Sequence, residues 1–573
     1  MKKVIYSFGL LAAMLMTSCG NEDEPKVDIN MPGDGIPARL TLSLPTGGSR
    51  SQTVTPDDNT NSSNGFEVGQ DSENKVNSVI VLLAKNNSTS ATPSPADFEF
   101  IAAAQADATP DNGATATNGR PTFTVRFKSQ AVADNAEKTV NVFAYCNPTT
   151  ELIRAVETLE PASETNPTGD SFADLLCTLT DADASAIWVQ NSFLMTNRDL
   201  ASTTLPTVEV MEKADRHNPV DLGTVKVQRA AVRFDFAQTT VEGQTQANYY
   251  PIVSAADETI TEGYVQLTDM ALFNLSKTFY YLPRMSMDAT WTPSVLCQRE
   301  STNNWVVSTD YGFKSAYKGQ DASASYYYPI STAGFGPASL TNYDALSSLS
   351  IDDDDNNWTP GTDAEGKPIA NPGYKIWRYA TENTIPGVDE QKKGITTGVL
   401  FKGNIIAVPG TDMATAMAAK QVIYAYDGHV YGNKDQLKAA VEAAPSTTIS
   451  NMYNTLFVTD NLDSNGDLIQ TCEDGFAIYR PDAAGNYPCY YYYYNRHDDN
   501  SANMTMGMME FATVRNNIYK LKINSIMEFG HPGNPGDDPD PEDPDDPDES
   551  PKTYFKLAVQ VLPWVVRVNT IDL

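Results

Sequence analysis

The stretch TVKVQRAAVRFDF, residues 224–236, alternates apolar and polar residues with the two-residue period of a half-buried β-strand. It comes after a polar and charged segment, EKADRHNPVDLG, which contains Leu222. A strong strand directly after such an interruption indicates that a second set of strands begins here. We therefore predict a domain boundary near Leu222.

Similar alternation recurs on both sides of that boundary, in KVNSVIVLLAK, TFTVRFKSQ, KTVNVFAYCN, GYVQLTDMALFNL and NNIYKLKINSIMEF. Gly, Pro, Asn and Asp fill the gaps between these segments. Helical patterns are few: KDQLKAAVEAA is the strongest, and TDMATAMAAK and SFADLLCTLTDA are weaker. The pattern is typical of antiparallel β-sandwiches with long loops, so we predict a mainly β chain with one sandwich over residues 51–222 and another over 223–530.

Composition excludes several classes of function. The chain has 573 residues and a formal net charge of -33, and without basic runs it is a poor ligand for nucleic acid, which is bound by clusters of Lys and Arg. None of the six cysteines lies in a CxxC pair or a Cys/His cluster, so zinc is not expected. HExxH, GxSxG and Gly-rich phosphate loops are absent from the sequence, so we expect no enzyme activity and no cofactor.

The N-terminus, MKKVIYSFGLLAAMLMTSC, has two lysines, an apolar run and small residues before Cys19, which is typical of an export signal. The sequence around Cys19 resembles a bacterial lipoprotein signal, in which the cysteine becomes the lipidated new N-terminus. The alternative is an ordinary secretory signal in which Cys19 is incidental. The acidic NEDE directly after Cys19 and Gly20 is similar to a surface-export tag of Bacteroidetes lipoproteins.

The C-terminal end combines an acidic Pro-rich tract with a strand. The tract HPGNPGDDPDPEDPDDPDESP, residues 531–551, predicts an extended spacer that can carry the terminal strand some tens of ångströms away. The strand FKLAVQVLPW places Phe555, Leu557, Val559 and Val561 on one face. Pro563 indicates a bulge or a sheet edge, and Trp564, Val566 and Val568 extend the segment beyond it.

A strand near the other end has the same pattern. In RLTLSLP, Leu40, Leu42 and Leu44 lie on one face, and the flexible TGGSRSQTV after it exposes Arg50. The first and terminal strands can therefore occupy the same slot of a sandwich. Because a tethered strand outcompetes a free one, exchange requires cleavage at Arg50, which makes the first strand a separable peptide.

These features together resemble a known family. VRNNIYKLKINSI, residues 514–526, the acidic spacer and the terminal VLPWVV…DL look like the C-terminal region of the Bacteroidales fimbrillins, in particular the structural shaft subunits of minor (short) fimbriae. LTLSLPTGGSR near the N-terminus is similar to the first strand and Arg-protease processing site of that family. The strands NKVNSVIVLLAK, KTVNVFAYCNP and VKVQRAAVRFDF occur in the family's order.

The resemblance implies two tandem transthyretin-like sandwich domains in a fimbrial subunit that supports adhesion and biofilm formation on the cell surface. It implies a lipoprotein signal over residues 1–19 with the lipid, palmitate included, on Cys19, and delivery to the outer membrane. A propeptide over 20–50 would carry the removable first strand and be cut after Arg50 by a trypsin-like protease. Arg39 is a rival site, disfavoured because cleavage there leaves the Leu40–Leu44 strand attached.

By the same resemblance, residues 531–551 are a linker and 552–573 hold the donor strand, Phe555 to Val568, which joins copies of the chain. Further partners would be tip and anchor subunits. Two alternatives remain open: a tip or anchor fimbrillin, and a monomeric surface lipoprotein that binds glycans.

Three remaining motifs have functional and structural interpretations. YYYYY, residues 490–494, offers rings for sugars, but rings on both faces of a strand favour sheet packing. NLDSNGD, residues 461–467, has calcium-loop spacing, but Cys472 stands where a glutamate is needed, which favours a hairpin turn at Asn465-Gly466. IDDDDNN, residues 351–357, is typical of a solvated loop, so no metal is expected.

Overall fold

The computed structural model describes residues 35–44, 67–90, 92–107, 120–166, 169–180, 187–254, 259–286, 294–297, 305–309, 323–329, 340–349, 374–384, 396–426, 429–445, 447–469, 476–497, 509–533 and 555–565. Strands dominate these residues, which confirms the prediction of a mainly β chain with few short helices. The helices are Asp71–Asn74, Ser129–Ala133, Thr150–Glu157, Val208–Glu212, Asp412–Ala418, Lys434–Ala443 and Thr448–Leu456, with 3₁₀ turns at Pro95–Asp97, Leu346–Leu349 and Thr459–Asn461. None of the helices in the described part of the chain is long and apolar enough to cross a bilayer.

The N-terminal domain is built on one eight-stranded sheet. Its strands have the spatial order Phe98–Asp107, Ser78–Asn86, Thr139–Cys146, Met195–Asn197, Val220–Arg229, Ile36–Ser43 and Thr122–Phe127, and Ala201–Thr204 pairs with Thr139–Cys146. The strand Ser78–Asn86 is almost continuously apolar because both of its faces are buried. Val79 and Val81 lie in the inner core, whereas Ile80 and Leu82 lie in a second core on the other side of the sheet.

The C-terminal domain is a sandwich of two five-stranded sheets. The first has the order Glu67–Val68, Phe555–Val565, Asn517–Ile526, Val232–Ala237 and Tyr374–Ala380. The second has the order Tyr249–Val253, Thr261–Phe273, Gly398–Ala407 and Tyr487–Tyr494, with Asp344–Ala345 beside Thr261–Phe273. Phe234 and Leu521 from the first sheet meet Phe401 and Tyr491 from the second in one core.

Each domain closes by pairing its first and last strands in parallel. Ile36–Ser43 runs parallel to Val220–Arg229, and Val232–Ala237 runs parallel to Asn517–Ile526. These pairs depart from the predicted antiparallel pattern. Parallel pairing is possible because the chain between the two strands of each pair is long enough to return to the same end of the sheet.

The predicted boundary falls within one strand. Val220–Arg229 passes through Leu222 and belongs wholly to the N-terminal sheet, whereas Val232–Ala237 belongs to the C-terminal sandwich. Ala231 packs in the N-terminal core and Val232 in the C-terminal core. The change of domain therefore comes after Ala231, because residues 224–236 form two strands in different sheets.

The predicted helices over KDQLKAAVEAA and TDMATAMAAK correspond to Lys434–Ala443 and Asp412–Ala418. The weaker prediction over residues 171–182 is wrong. This segment contains the strand Leu176–Thr178, which pairs with Thr278–Tyr280 and buries Cys177. Pairing with a distant strand overrides the local helical pattern here.

The connection between Gly398–Ala407 and Tyr487–Tyr494 contains a small unit with its own core. Its sheet has the strand order His429–Tyr431, Ile423–Tyr426 and Ala477–Tyr479, packed against the helix Lys434–Ala443. Other short pairings are Leu275–Ser276 with Tyr326–Tyr327, Arg284–Ser286 with Ser294–Leu296 and Trp305–Val306, and Trp188–Val189 with Ser192–Phe193.

Candidate functional site: the first and terminal strands

The first strand, Ile36–Ser43, lies inside the N-terminal sheet rather than at its edge. It pairs with Val220–Arg229 on one side and with Thr122–Phe127 on the other. Leu40 and Leu42 are completely buried, and Leu44 is 1% exposed. The prediction of an apolar face on this strand is therefore met, and the face fills the centre of the N-terminal core.

Removing the first strand would open a deep groove. Burial of Ile36, Leu40, Leu42 and Leu44 is worth about 6–12 kcal/mol gross, which an empty groove forfeits. The strands on both sides would also lose their ladder partners, and unpaired backbone groups on a sheet recruit another strand. An empty groove of this kind is a binding site for a strand with alternating apolar residues.

The terminal strand, Phe555–Val565, lies against the C-terminal domain of its own chain. It pairs antiparallel with Asn517–Ile526, from Phe555 opposite Ile526 to Pro563 opposite Asn517. On its other side it has a short parallel pairing, in which Trp564 and Val565 lie opposite Glu67 and Val68. The ladder on this second side is limited to those two residue pairs among the described strands.

The register of the terminal strand pairs its predicted apolar positions with core residues of the neighbouring strand. Leu557, Val559 and Val561 are the partners of Ile523, Leu521 and Tyr519. All three of those partners are buried in the C-terminal core. Phe555 lies opposite Ile526, which is in the same core.

The structure does not bring the first and terminal strands together. One lies in the N-terminal sheet and the other in the C-terminal sandwich. The terminal strand adjoins the last strand of its domain, which is the position that Met195–Asn197 holds beside Val220–Arg229 in the N-terminal domain. In both domains, therefore, the last strand lies between the first strand of the domain and one further strand.

Several predicted positions lie outside the described residues: Cys19, Arg50, Val566, Val568, Cys472, most of the spacer and the acidic run at 351–357. Arg39 is described. It is half-buried in the first strand, opposite Thr124 and Asp221. A protease must bind its substrate backbone in an extended, unpaired form, and this ladder prevents such binding at Arg39.

The tyrosine run forms part of an edge strand, Tyr487–Tyr494, with rings on both faces. Tyr491 packs in the C-terminal core, while Tyr490 packs in a separate cluster with Phe273 and Leu400. Tyr492 and Tyr494 contact that cluster from its border. The run is therefore engaged in sheet packing, as the structural interpretation predicts.

The Asn461–Asp467 motif is a turn. The Asp463 carboxylate accepts hydrogen bonds from the backbone N–H groups of Asn465 and Asp467 at 2.8 and 3.0 Å, and Arg480 lies 3.2 Å from it. Gly466 has a φ of 74°, which favours glycine. No group of three metal-ligating side chains occurs among the described residues.

The described cysteines, Cys146, Cys177, Cys297 and Cys489, are all buried. Burial raises the pKa of Cys177 to about 11 and that of Cys489 to about 12. Thiols of such high pKa are unreactive at neutral pH, because the thiolate is the nucleophile. These residues behave as small core side chains.

The sequence did not point to a buried ionic network at the junction of the domains. Glu73, in the short helix Asp71–Asn74, lies 3.1 Å from the guanidinium of Arg233 and accepts a 2.6 Å hydrogen bond from the Tyr379 hydroxyl. Arg233 also makes a two-point contact with Asp235, at 2.9 and 2.8 Å. Nearby, burial lowers the pKa of Arg229 to about 9. In the sequence, Arg233 and Asp235 within VRFDF could have indicated this network, since charges on a buried strand require partners.

Comparison with known proteins assigns the C-terminal part of the chain. Residues 486–570 match the family described as major fimbrial subunit protein type IV, fimbrillin, C-terminal. No match was found among curated proteins. The matched segment holds the edge strand Tyr487–Tyr494, the last domain strand Asn517–Ile526 and the terminal strand.

Two solved structures are similar over most of the chain. A fimbrilin (FimA) from Porphyromonas gingivalis W83 is 14% identical, with 94% of this chain and 99% of that chain covered and a TM-score of 0.35. The tip fimbrial protein Mfa3 from Porphyromonas gingivalis, truncated at its C-terminus, is 11% identical, with 92% and 100% covered and a TM-score of 0.33. These values are low, so the assignment depends on the C-terminal match.

The match indicates a subunit of a cell-surface fimbrium that assembles with other fimbrial subunits, and it favours a structural role over an enzymatic one. The match supports the resemblance to the fimbrillins over residues 486–570, whose similarity is to the C-terminal region of that family.

Proposed function

We propose that this chain is the structural subunit of a fimbrial shaft. It is exported as a lipoprotein through Cys19, cleaved after Arg50, and polymerised when the terminal strand of one copy replaces the first strand of another. The observation that carries the proposal is that the terminal strand is paired along its length on one side only, whereas the first strand is paired on both.

This difference favours transfer once the groove is open. In its own chain the terminal strand has a full ladder with Asn517–Ile526 and two residue pairs with Glu67–Val68. In the groove left by Ile36–Ser43, an incoming strand gains Val220–Arg229 and Thr122–Phe127 as neighbours along most of its length. Because each additional ladder hydrogen bond contributes about 0.5–1.5 kcal/mol, a second complete ladder outweighs the two pairs that are lost.

The spacer is longer than the observed docking requires. Phe555 lies opposite Ile526, and the chain from Ile526 to Gly533 spans at most about 25 Å when fully extended. Residues 534–554, which comprise the rest of the Pro-rich spacer and the three residues before Phe555, reach about 65 Å when extended. The excess length suits a strand that must reach another copy.

Proteolytic cleavage determines when the strand exchange can occur. While the first strand remains attached, it competes at millimolar effective concentration or above, so an incoming strand loses. Cleavage after Arg50 leaves the whole strand Ile36–Ser43 on the released side, whereas cleavage at Arg39 would divide it. Arg50 is therefore the position at which one cut frees the groove.

The packing of the tyrosine run weakens the glycan-binding alternative, because the rings that would form a sugar platform are engaged within the sheet. The tip and anchor alternatives differ from a shaft subunit in a testable way. A tip has no need to donate a strand, and an anchor keeps its lipid and its first strand.

The test is limited digestion of the purified chain with an Arg-specific protease, after which the oligomer ladder is measured. The variants are Arg50→Lys, Arg39→Lys as its matched control, and a chain ending at Pro551. We expect a ladder from the wild type and Arg39→Lys, and none from Arg50→Lys or the truncated chain. A digested wild-type chain that stays monomeric would refute strand donation and leave the tip, anchor and glycan-binding alternatives.

A further inference from the structure

Residues 528–533, which include the first three residues of the predicted spacer, are held tightly against the second sheet. Tyr490 and His531 exchange two backbone hydrogen bonds, both of 2.8 Å. The Tyr479 hydroxyl donates to the carbonyls of Phe529 and Gly530, at 3.2 and 2.8 Å. The Tyr491 hydroxyl accepts from the Gly530 N–H at 2.9 Å and donates to the Glu528 carbonyl at 3.1 Å. We call residues 528–533, together with these three tyrosines, the exit clamp.

The glycines of the exit clamp are required by close contact. A Cβ on Gly530 would lie 2.4 Å from the Tyr490 carbonyl oxygen, and one on Gly533 would lie 2.3 Å from the Tyr490 ring. Gly533 also has a φ of 70°, which disfavours other residues. Between the two glycines, His531 stacks edge-on against Tyr492. The Phe529 side chain is anchored in the C-terminal core beside Tyr479.

Donation of the terminal strand weakens the sheet from which the chain leaves. Asn517–Ile526 has the terminal strand on one side and Val232–Ala237 on the other. After donation only Val232–Ala237 remains beside it among the described strands, so Asn517–Ile526 becomes an edge strand. Tension on the spacer would then peel this strand from its end at Ile526, breaking its hydrogen bonds one after another.

Along the chain, the exit clamp comes between Asn517–Ile526 and residues 534–551 of the spacer. Its partners Tyr490 and Tyr491 belong to Tyr487–Tyr494, in the opposite sheet, which pairs with Gly398–Ala407. A force that enters at Gly533 therefore reaches the second sheet first. The force is therefore distributed over both sheets of the sandwich before it acts on Ile526.

From this topology we propose that the exit clamp bears tension: it transfers force from the spacer to the Tyr487–Tyr494 strand and protects the Asn517–Ile526 strand from being peeled away. The inference rests on the proposed function for the source of the force. The clamp itself is a property of a single chain, so it is testable without a polymer.

The experiment pulls on one full chain between its C-terminal end and an enzymatic ligation tag inserted at Gly243, an open turn of the same domain. Release of the terminal strand comes first, and opening of the exit clamp is the second event. The test variant is Tyr479→Phe, which removes the hydroxyl that holds two clamp carbonyls. The matched control is Tyr487→Phe, which removes a hydroxyl that donates to the Gln421 carbonyl away from the clamp.

We expect the second event in Tyr479→Phe to occur about five to thirty times faster at constant force, the factor that corresponds to loss of one or two hydrogen bonds of about 1 kcal/mol each. Tyr487→Phe should match the wild type. Gly533→Ala, in which the new Cβ meets the Tyr490 ring, should abolish the second event. Unchanged kinetics in both clamp variants would overturn the proposal, as would an equal effect of the control. Failure of the digested chain to polymerise would overturn the proposed function while leaving this measurement intact.

Discussion

Glu73 and Arg233 form a completely buried ion pair across the junction of the two domains. Glu73 is carried by the short helix Asp71–Asn74, which comes after the strand Glu67–Val68, and Arg233 lies in the first strand of the C-terminal sandwich. The Tyr379 hydroxyl completes the site by donating to Glu73. A buried charge deprived of its partner is strongly destabilising, so this pair holds the helix Asp71–Asn74 against the first strand of the C-terminal sandwich.

Glu73→Gln should therefore lower the free energy of unfolding by about 3–5 kcal/mol, because Arg233 loses one of its two carboxylate partners in a dry site. The measurement is unfolding in urea, monitored by tryptophan fluorescence. Glu209→Gln is the control, since Glu209 forms an exposed ion pair with Lys213 and should change stability by less than about 0.5 kcal/mol. Equal effects of the two substitutions would contradict the buried role of Glu73.

Release of the first strand should depend on its buried face. Leu42→Ala deletes part of a completely buried side chain. It should reduce the free energy with which the first strand is bound in the N-terminal sheet by about 2–5 kcal/mol. After cleavage at Arg50, the N-terminal peptide should dissociate faster than in the wild type, which size-exclusion chromatography at successive times can measure. Thr41→Ala, on the half-exposed face of the same strand, should release the peptide at close to the wild-type rate.

Local pattern predicted much of this fold. The period-two segments became strands because one or both faces find a core, as in Ser78–Asn86 and Asn517–Ile526. The parallel closure of each domain and the strand within residues 171–182 were beyond local reasoning, because both depend on partners far away in the chain. The pattern also does not reveal where a strand docks: the terminal strand lies beside Asn517–Ile526, which its apolar alternation does not specify.

Stability should decrease at acidic pH because of His497. Burial lowers the pKa of this imidazole to about 4, and its Nδ1 lies 2.9 Å from the Tyr519 hydroxyl. The unfolded chain binds a proton near pH 6.5 and the folded chain only near pH 4, so stability is lost as the pH falls through this window, by about 3 kcal/mol in all. Urea unfolding at several pH values measures the slope. His497→Gln should flatten it, whereas His217→Gln, at an exposed position, should leave it unchanged.

The register of the terminal strand predicts which of its residues join two copies. Val559 lies opposite Leu521, which is buried in the C-terminal core, whereas its neighbour Gln560 lies opposite Lys520 on the other face. A charge on the apolar face cannot enter a groove lined by apolar side chains without losing its hydration, so Val559→Lys should abolish the oligomer ladder after digestion. Gln560→Lys adds the same charge one position along and should leave the ladder intact. If both variants polymerise, the apolar face does not seat in the groove, and if neither does, the terminal segment fails to tolerate charge on either face and the assignment of its buried side is wrong.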